Sequence, residues 1–440
     1  MSADSFKERL ARGVFSTVLR LATPAYLLRL FLRGRQEPLY QAHPAERFGF
    51  GAAIEPGSIW VHAVSLGETR AAAALIERLR HDRPGMRLLL THTTATGREA
   101  GRALLREGDT QRWLPVDTPG AVRRFLKRTR PAVGVLMETE IWPNVQHQAR
   151  KAGVPMVLAN ARLSARSLRR GERFKALLAP AARTLRLALA QTQADAERLR
   201  QAGVPDVRVC GNLKFDLQPD EAQLTRGRAW RAGLNRPVVM LAVSREGEEA
   251  AMLAAWKDAA AARARAGSPL LLIVPRHPQR FDEIAALVGD AGLTLARRSA
   301  FGTSAIATPP LSAGVADAWL GDSMREMALY YGLADVALLG GSFENLGGQN
   351  LIETAACGVP LFMGPHTFNF AEAAELSLQA GAARRVETLP QALDEALGLL
   401  TKPEERASMA AAATAFAAAH RGAAARMAAA ILALTGYSST

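Results

Sequence analysis

The chain holds 440 residues, 49% of them hydrophobic and 22% charged, which describes a globular protein too long for one ordinary core and predicts two domains. Two cysteines, Cys210 and Cys357, cannot build a disulfide scaffold, and none of the eight histidines sits at a metal-ligand spacing from another His or a Cys, which argues for a reduced setting and against a zinc site. The net charge of +14 asks for an anionic partner; with no zinc-finger spacing and no aromatic-basic platform, a membrane surface or a phosphorylated ligand ranks ahead of nucleic acid.

Residues 14–32 form the most apolar N-terminal stretch, but Arg20 and Arg29 interrupt it and Pro24 breaks it. No uncharged run approaches the roughly 18 residues of a spanning helix. Charges inside the apolar region and the lack of a small-residue cleavage site also speak against a secretory signal. Up to Arg35 the segment carries Lys7, Arg9, Arg12, Arg20, Arg29, Arg33 and Arg35 against Asp4 and Glu8. Leu, Phe and Val with snorkelling arginines predict that residues 1–35 lie as an amphipathic helix on an anionic membrane, with packing on the protein's own domain as the alternative.

From residue 58 onward, short apolar runs alternate with helical stretches. Strands are expected at 59–64, 88–91, 133–137, 154–158 and 187–190, and a helix at 71–80. A second series follows at 238–243, 270–274, 319–320, 336–339 and 359–362. Such alternation gives parallel sheets with helices on both faces. The polar stretch 216–236 separates the series, so the expected domains are 36–218 and 219–440. The Ala-rich residues 404–434 are expected to be terminal helix within the second domain. Two doubly wound sheets facing a central cleft would bind ligands at their strands' carboxyl ends.

Glu68 follows the first strand across Ser65-Leu66-Gly67 and stands at a helix start. It is either a base for an acceptor hydroxyl, if its surroundings raise its pKa, or a carboxylate that complements the helix dipole. Glu138-Thr139-Glu140 follows the strand at 133–137 and precedes Trp142-Pro143-Asn144, so it serves either the chemistry or a helix start. In the second series, Pro275-Arg276-His277-Pro278 joins a strand to a helix, where Arg276 suits a phosphate. Gly340-Gly341-Ser342 and Gly347-Gly348-Gln349-Asn350 precede a helix from Leu351, and Glu353 suits a ribose hydroxyl pair. Neither a P-loop nor a dinucleotide fingerprint is present.

Together these segments resemble the Kdo (3-deoxy-D-manno-octulosonic acid) transferase family. The resemblance runs from Arg33-Gly34-Arg35, Tyr40 and Glu46-Arg47-Phe48-Gly49 through Trp60-Val61-His62-Ala63-Val64-Ser65-Leu66-Gly67-Glu68 and Glu138-Thr139-Glu140-Ile141-Trp142-Pro143-Asn144. It continues in Gly211-Asn212-Leu213-Lys214-Phe215-Asp216, Pro275-Arg276-His277-Pro278, Gly321-Asp322-Ser323-Met324, Gly340-Gly341-Ser342 and Gly364-Pro365-His366-Thr367-Phe368-Asn369-Phe370. It implies an α/β GT-B fold of two Rossmann-like domains, the first binding the acceptor and the second the donor. It further implies a site on the cytoplasmic face of the inner membrane, and transfer of Kdo from CMP-Kdo to lipid IVA in lipopolysaccharide biosynthesis. Glu68 would be the general base, with Glu138 and Lys214 supporting an inverting displacement that uses no metal and no cofactor. CMP would be held by Pro275 and Arg276, by Met324, Arg325 and Glu326, and by Asn350, Leu351, Ile352 and Glu353. The chain departs from the family at Arg245, where His is common, at Arg325, where Gly is common, and at Leu351-Ile352, where the family has Pro-Leu. Those departures leave room for another nucleotide sugar; a catalytically silent membrane-surface protein of this fold is the other rival.

Overall fold

Apolar runs bounded by helix caps fold into two parallel sheets. The structure, a computed structural model, describes residues 4–216, 218–302 and 309–436. It divides into two compact units, Met1–Asp216 with Arg421–Thr440, and Leu217–His420. The first contains β1 (Ile59–His62), β2 (Leu88–His92), β3 (Thr110–Trp113), β4 (Val133–Met137), β5 (Met156–Ala161), β6 (Leu187–Ala190) and β7 (Val207–Val209). They pair, all parallel, in the order β3-β2-β1-β4-β5-β6-β7. Parallel strands must be covered on both faces. In β1, Ile59 and Val61 accordingly join one core and Trp60 the other. Each fully buried aliphatic chain of this kind contributes roughly 1.5–3 kcal/mol.

The second unit repeats the plan with β8 (Val238–Ser244), β9 (Leu270–Pro275), β10 (Leu295–Arg297), β11 (Ala318–Leu320), β12 (Val336–Leu339), β13 (Leu361–Met363) and β14 (Ala383–Arg385). Their order is β10-β11-β9-β8-β12-β13-β14, again all parallel. In each sheet the chain leaves its first strand on one side and later returns on the other. That puts the switch points between β1 and β4 and between β8 and β12, where a crevice opens beyond the strand ends.

The strand expectations hold in the sheet interiors and shift at several boundaries; the strand expected to run to 64 ends at His62, and the one expected to end at 158 runs to Ala161. Strands expected from 154 and 359 start at Met156 and Leu361, each directly after a proline (Pro155, Pro360) that has no N–H for a ladder. The strands that went unpredicted, β3, β7, β10 and β14, are the outermost strands of the two sheets. Each is short and carries an arginine (Arg112, Arg208, Arg297, Arg384), the composition that keeps an edge from pairing with another chain.

The end of the chain also differs from expectation. The helix Pro403–Ala419 stays in the second unit, but the helix Ala423–Leu432 lies in the first. Its Met427, Ala428 and Ile431 enter the core beside Leu75, Ile76 and Leu79. The crossing is pinned by polar groups as well: Asp216 accepts from Ala424 N at 2.6 Å, and Arg426 Nε donates to the Cys210 carbonyl at 3.0 Å.

At the other terminus a 28-residue helix, Phe6–Arg33, starts in a capping box between Ser5 and Glu8. By length and composition it is long and apolar enough to cross a membrane. One side lies on the first unit, where Asp4 meets Arg150 at 3.4 Å and the buried Ser16 hydroxyl meets Asn144 Oδ1 at 3.1 Å. Away from that side, Phe6, Leu10, Val14, Val18, Leu21, Leu28 and Phe31 are exposed at helical spacing.

Candidate active site

At the carboxyl end of β1, Ser65 caps the helix Leu66–Asp82 and Glu68 occupies the helix's third position. Its Oε2 accepts from Val64 N at 2.7 Å, so the carboxylate is fixed by the backbone that precedes the helix. Glu68 is half-buried. Burial pushes its pKa up to about 7; the Val64 amide opposes this, while the charges of Glu138 and Glu140 add to it. The two readings of Glu68 therefore describe one geometry: the carboxylate in the first turn of the helix also has the proton affinity of a base working near neutrality. The histidines at the ends of β1 and β2 bring no positive charge. Burial drives His62 down to about 3 and His92 to about 4, so both imidazoles are neutral.

Glu138 and Glu140 sit across the switch point, just after β4. Glu138 has φ 57°, a left-handed conformation that non-glycine residues seldom adopt. It is held there by Glu138 N donating to the Ala159 carbonyl at 2.9 Å and by Arg162 N donating to the Glu138 carbonyl at 3.2 Å. Strain of this kind, about 1–3 kcal/mol, collects at functional sites. Burial raises Glu140, with Trp142 opposing and Glu138 adding. Lys214, on the turn Leu213–Asp216, is lowered by burial, while Glu138 favours its charge and Arg162 disfavours it. Glu68, Glu138, Glu140 and Lys214 are thus one electrostatic group. Three of its members were expected from the sequence; Glu140 was seen only as part of a motif.

In the second unit the expected residues line the strand ends, in different states. Pro275 is buried at the end of β9, and the exposed Arg276 has its N–H on the Ser244 carbonyl at 3.0 Å. Gly340 is required where it stands, because a Cβ there would lie 2.4 Å from the Val243 carbonyl. Met324 and Arg325 are exposed, and Arg325 has φ 65°. That angle is one glycine adopts freely, and an arginine stands there at a cost of about 1–2 kcal/mol. The Glu326 carboxylate is engaged by Arg226 at 3.0 Å and Arg298 at 2.8 Å, so it fastens its loop. Leu351 and Ile352 are core side chains, which leaves only their backbone to a ligand. Asn350 Oδ1 is buried with no hydrogen-bond partner among the described residues. Burial raises Tyr331 and Cys357, and the charge of Glu353 adds to both. Among the described residues no group of three or more His, Cys, Asp or Glu side chains is placed to hold a metal.

Residues 42–217 match the family described as 3-deoxy-D-manno-octulosonic-acid transferase (kdotransferase). A 3-deoxy-D-manno-octulosonic acid transferase of Bordetella pertussis is 48% identical over 424 residues, spanning 94% of this chain and 97% of that protein. Its counterpart in Haemophilus influenzae is 33% identical over 401 residues, 90% of this chain and 91% of that one. Among solved structures, UDP-GlcNAc 2-epimerase from Neisseria meningitidis bound to UDP-GlcNAc matches with a TM-score of 0.58 at 14% identity, covering 86% of this chain and all 100% of that one. MurG of Acinetobacter baumannii gives 0.53 at 12% identity over 86% and 100%. At such identities the likeness speaks for the fold alone, and that fold is GT-B.

Proposed function

Since the chain belongs to the Kdo transferase family and is a glycosyltransferase, we propose that it moves Kdo from CMP-Kdo to lipid IVA during lipopolysaccharide core assembly. The observation that carries the mechanism is Glu68, half-buried at the switch point of the first sheet with a pKa of about 7. Glu68 takes the proton of an acceptor sugar hydroxyl. The freed oxygen pair forms the new bond to the anomeric carbon of Kdo from the face opposite CMP. The bond from that carbon to the CMP phosphate oxygen breaks, its electron pair leaves with CMP, and the configuration inverts. Lys214 and Glu138 hold the charge distribution of the transition state, in which the ring becomes cationic and the phosphate anionic.

The donor reading rests on the second unit. The exposed guanidinium of Arg276 suits the leaving phosphate, and the backbone from Asn350 suits the nucleoside. Asn350 Oδ1, buried and without a partner among the described residues, suits a ribose hydroxyl or a cytosine amino group. The displacement needs no metal in this reading, so turnover is expected to survive chelation.

The location proposed is the cytoplasmic side of the inner membrane, with Phe6–Arg33 lying in the lipid interface. Its ties to the first unit through Ser16, Glu8 and Asp4 favour lying over spanning, because a spanning helix would have to give them up. A second basic segment points the same way: Arg166, Arg169, Arg170 and Arg173 are exposed beside the exposed Phe174.

Incubation of the protein with CMP-Kdo and a tetraacylated lipid A precursor in EDTA, read by mass spectrometry of the lipid, tests this. A gain of one or more Kdo masses is expected, inhibited by CMP more strongly than by UDP. Folded protein that adds no Kdo, or that is inhibited by UDP instead, rejects the donor assignment.

A further inference from the structure

Lys214 reaches the carboxylate group from a segment far from it in sequence, and its backbone is set by a chain of amide side chains that the mechanism above does not use. Strand β5 breaks register with β6 between Leu158 and Ala161. Within that break Asn160 is fully buried in a left-handed conformation, φ 52°. Bulges of this kind bend a strand end and re-aim the residues beyond it.

The polar groups around Asn160 are engaged, apart from its own Nδ2, which is buried without a partner among the described residues. The carbonyl of the preceding residue, Ala159, accepts from Glu138 N at 2.9 Å. Asn160 Oδ1 accepts from Leu213 N at 3.0 Å, and the Asn160 carbonyl accepts from Gln191 Nε2 at 2.9 Å. Gln191 Oε1 in turn accepts from Asn212 Nδ2 at 3.1 Å, and Asn212 Oδ1 accepts from Lys214 N at 3.0 Å. The path therefore leads from the backbone of Glu138 to the backbone of Lys214 through Asn160, Gln191 and Asn212, from the ends of β4, β5 and β6 to the turn after β7. Gly211, at φ 85°, lets the chain enter that turn.

We propose that Asn160, Gln191 and Asn212 are positioning residues that fix Lys214 against Glu138 for glycosyl transfer. None of them touches the reacting atoms. This inference rests on the catalytic reading of Lys214 given above. Asn160 Oδ1 holds Leu213 N and its main-chain carbonyl holds Gln191, and a fully buried residue engaged in this way favours one arrangement, which is what a cation held beside a carboxylate needs.

The test uses the full chain and three substitutions. Asn212→Asp keeps the acceptor for Lys214 N and removes the donor to Gln191. Asn160→Gly keeps the left-handed backbone available and removes only the contact to Leu213. Both are compared with Lys214→Ala and with the double variants carrying Lys214→Ala, and thermal melting confirms that each protein is folded. Misplacement of a catalytic group by about 1 Å costs on the order of 100-fold in rate, so Asn160→Gly and Asn212→Asp are expected to lose about 10- to 100-fold in kcat. KM for CMP-Kdo should stay within about twofold, since the substitutions leave uniform donor binding alone. In the Lys214→Ala background the same substitutions should cost less than about twofold more, because the residue they position is gone. Full multiplicative losses in that background, or single variants that keep wild-type kcat, overturn the inference. A Lys214→Ala enzyme with wild-type kcat instead rejects the catalytic reading of Lys214, and the inference falls with it.

Discussion

In both units a glutamate stands at the start of the helix that follows the first strand: Glu68 after β1, and Glu248 with Glu249 after β8. Their surroundings differ. Glu248 is buried and accepts from Gly341 N at 2.8 Å and Arg245 N at 2.9 Å, binding two strand-end loops together. Glu249 is fully buried, takes a hydrogen bond from Ser244 Oγ at 2.7 Å and forms a two-pronged pair with Arg280 at 2.9 and 3.2 Å. Glu68 has the Val64 amide and Ser65 hydroxyl as partners, remains half-exposed, and faces other carboxylates across the switch point. The first turn of the corresponding helix thus carries a carboxylate left partly open in the first unit and carboxylates wholly engaged in architecture in the second. What separates them is how many of the carboxylate's lone pairs the protein has already used.

Substitutions should divide along that line. The largest effect is expected for Glu68→Ala, a kcat loss on the order of 100- to 10,000-fold with KM for CMP-Kdo little changed, measured in steady-state transfer assays. Glu249→Ala should do the reverse. It leaves the buried Ser244 hydroxyl without its acceptor and the half-buried Arg280 with Glu283 alone, and lowers unfolding free energy by about 1–3 kcal/mol in denaturant titration, while kcat per folded molecule changes little. Arg276→Ala should raise the CMP-Kdo KM by about 10- to 100-fold, the worth of a charge-assisted contact. If instead it changes only the melting temperature, the second unit's strand ends are wholly architectural and the donor reading fails.

Smaller effects sharpen the comparison further. Glu140 raises the Glu68 pKa, so Glu140→Gln should move the acid limb of kcat/KM below its wild-type position near pH 7. The sign is fixed: removing a negative neighbour makes the ionised base easier to form, and activity then persists to lower pH. Arg325→Gly places glycine at φ 65° and should stabilise the protein by about 1 kcal/mol, seen as a small rise in melting temperature.

Much of this was legible in the sequence, for reasons that also mark its limits. Interior strands announce themselves because both faces are buried, as in Val133–Met137, whereas edge strands such as Ala383–Arg385 carry arginines and look like loops. Glu68, Glu138 and Lys214 could be named from their motifs. Nothing local showed that Glu326 is held by Arg226 and Arg298, because those pairings join segments 100 and 28 residues apart. The same holds for Asp216 and Ala424, 208 residues apart, whose contact returns the last helix to the first unit. The amides of Asn160, Gln191 and Asn212 also carry no signal alone, since only the fold brings three strand ends to one turn.

The most direct test of Glu68 as the base is the pH dependence of kcat/KM for wild type and Glu68→Gln under identical conditions. Wild-type activity is expected to fall tenfold per pH unit below about pH 7, where Glu68 takes up a proton. The residual activity of Glu68→Gln should be flat across that limb. A Glu68→Gln enzyme that keeps the same limb, or a wild type with none near neutrality, would contradict the assignment of proton transfer to Glu68.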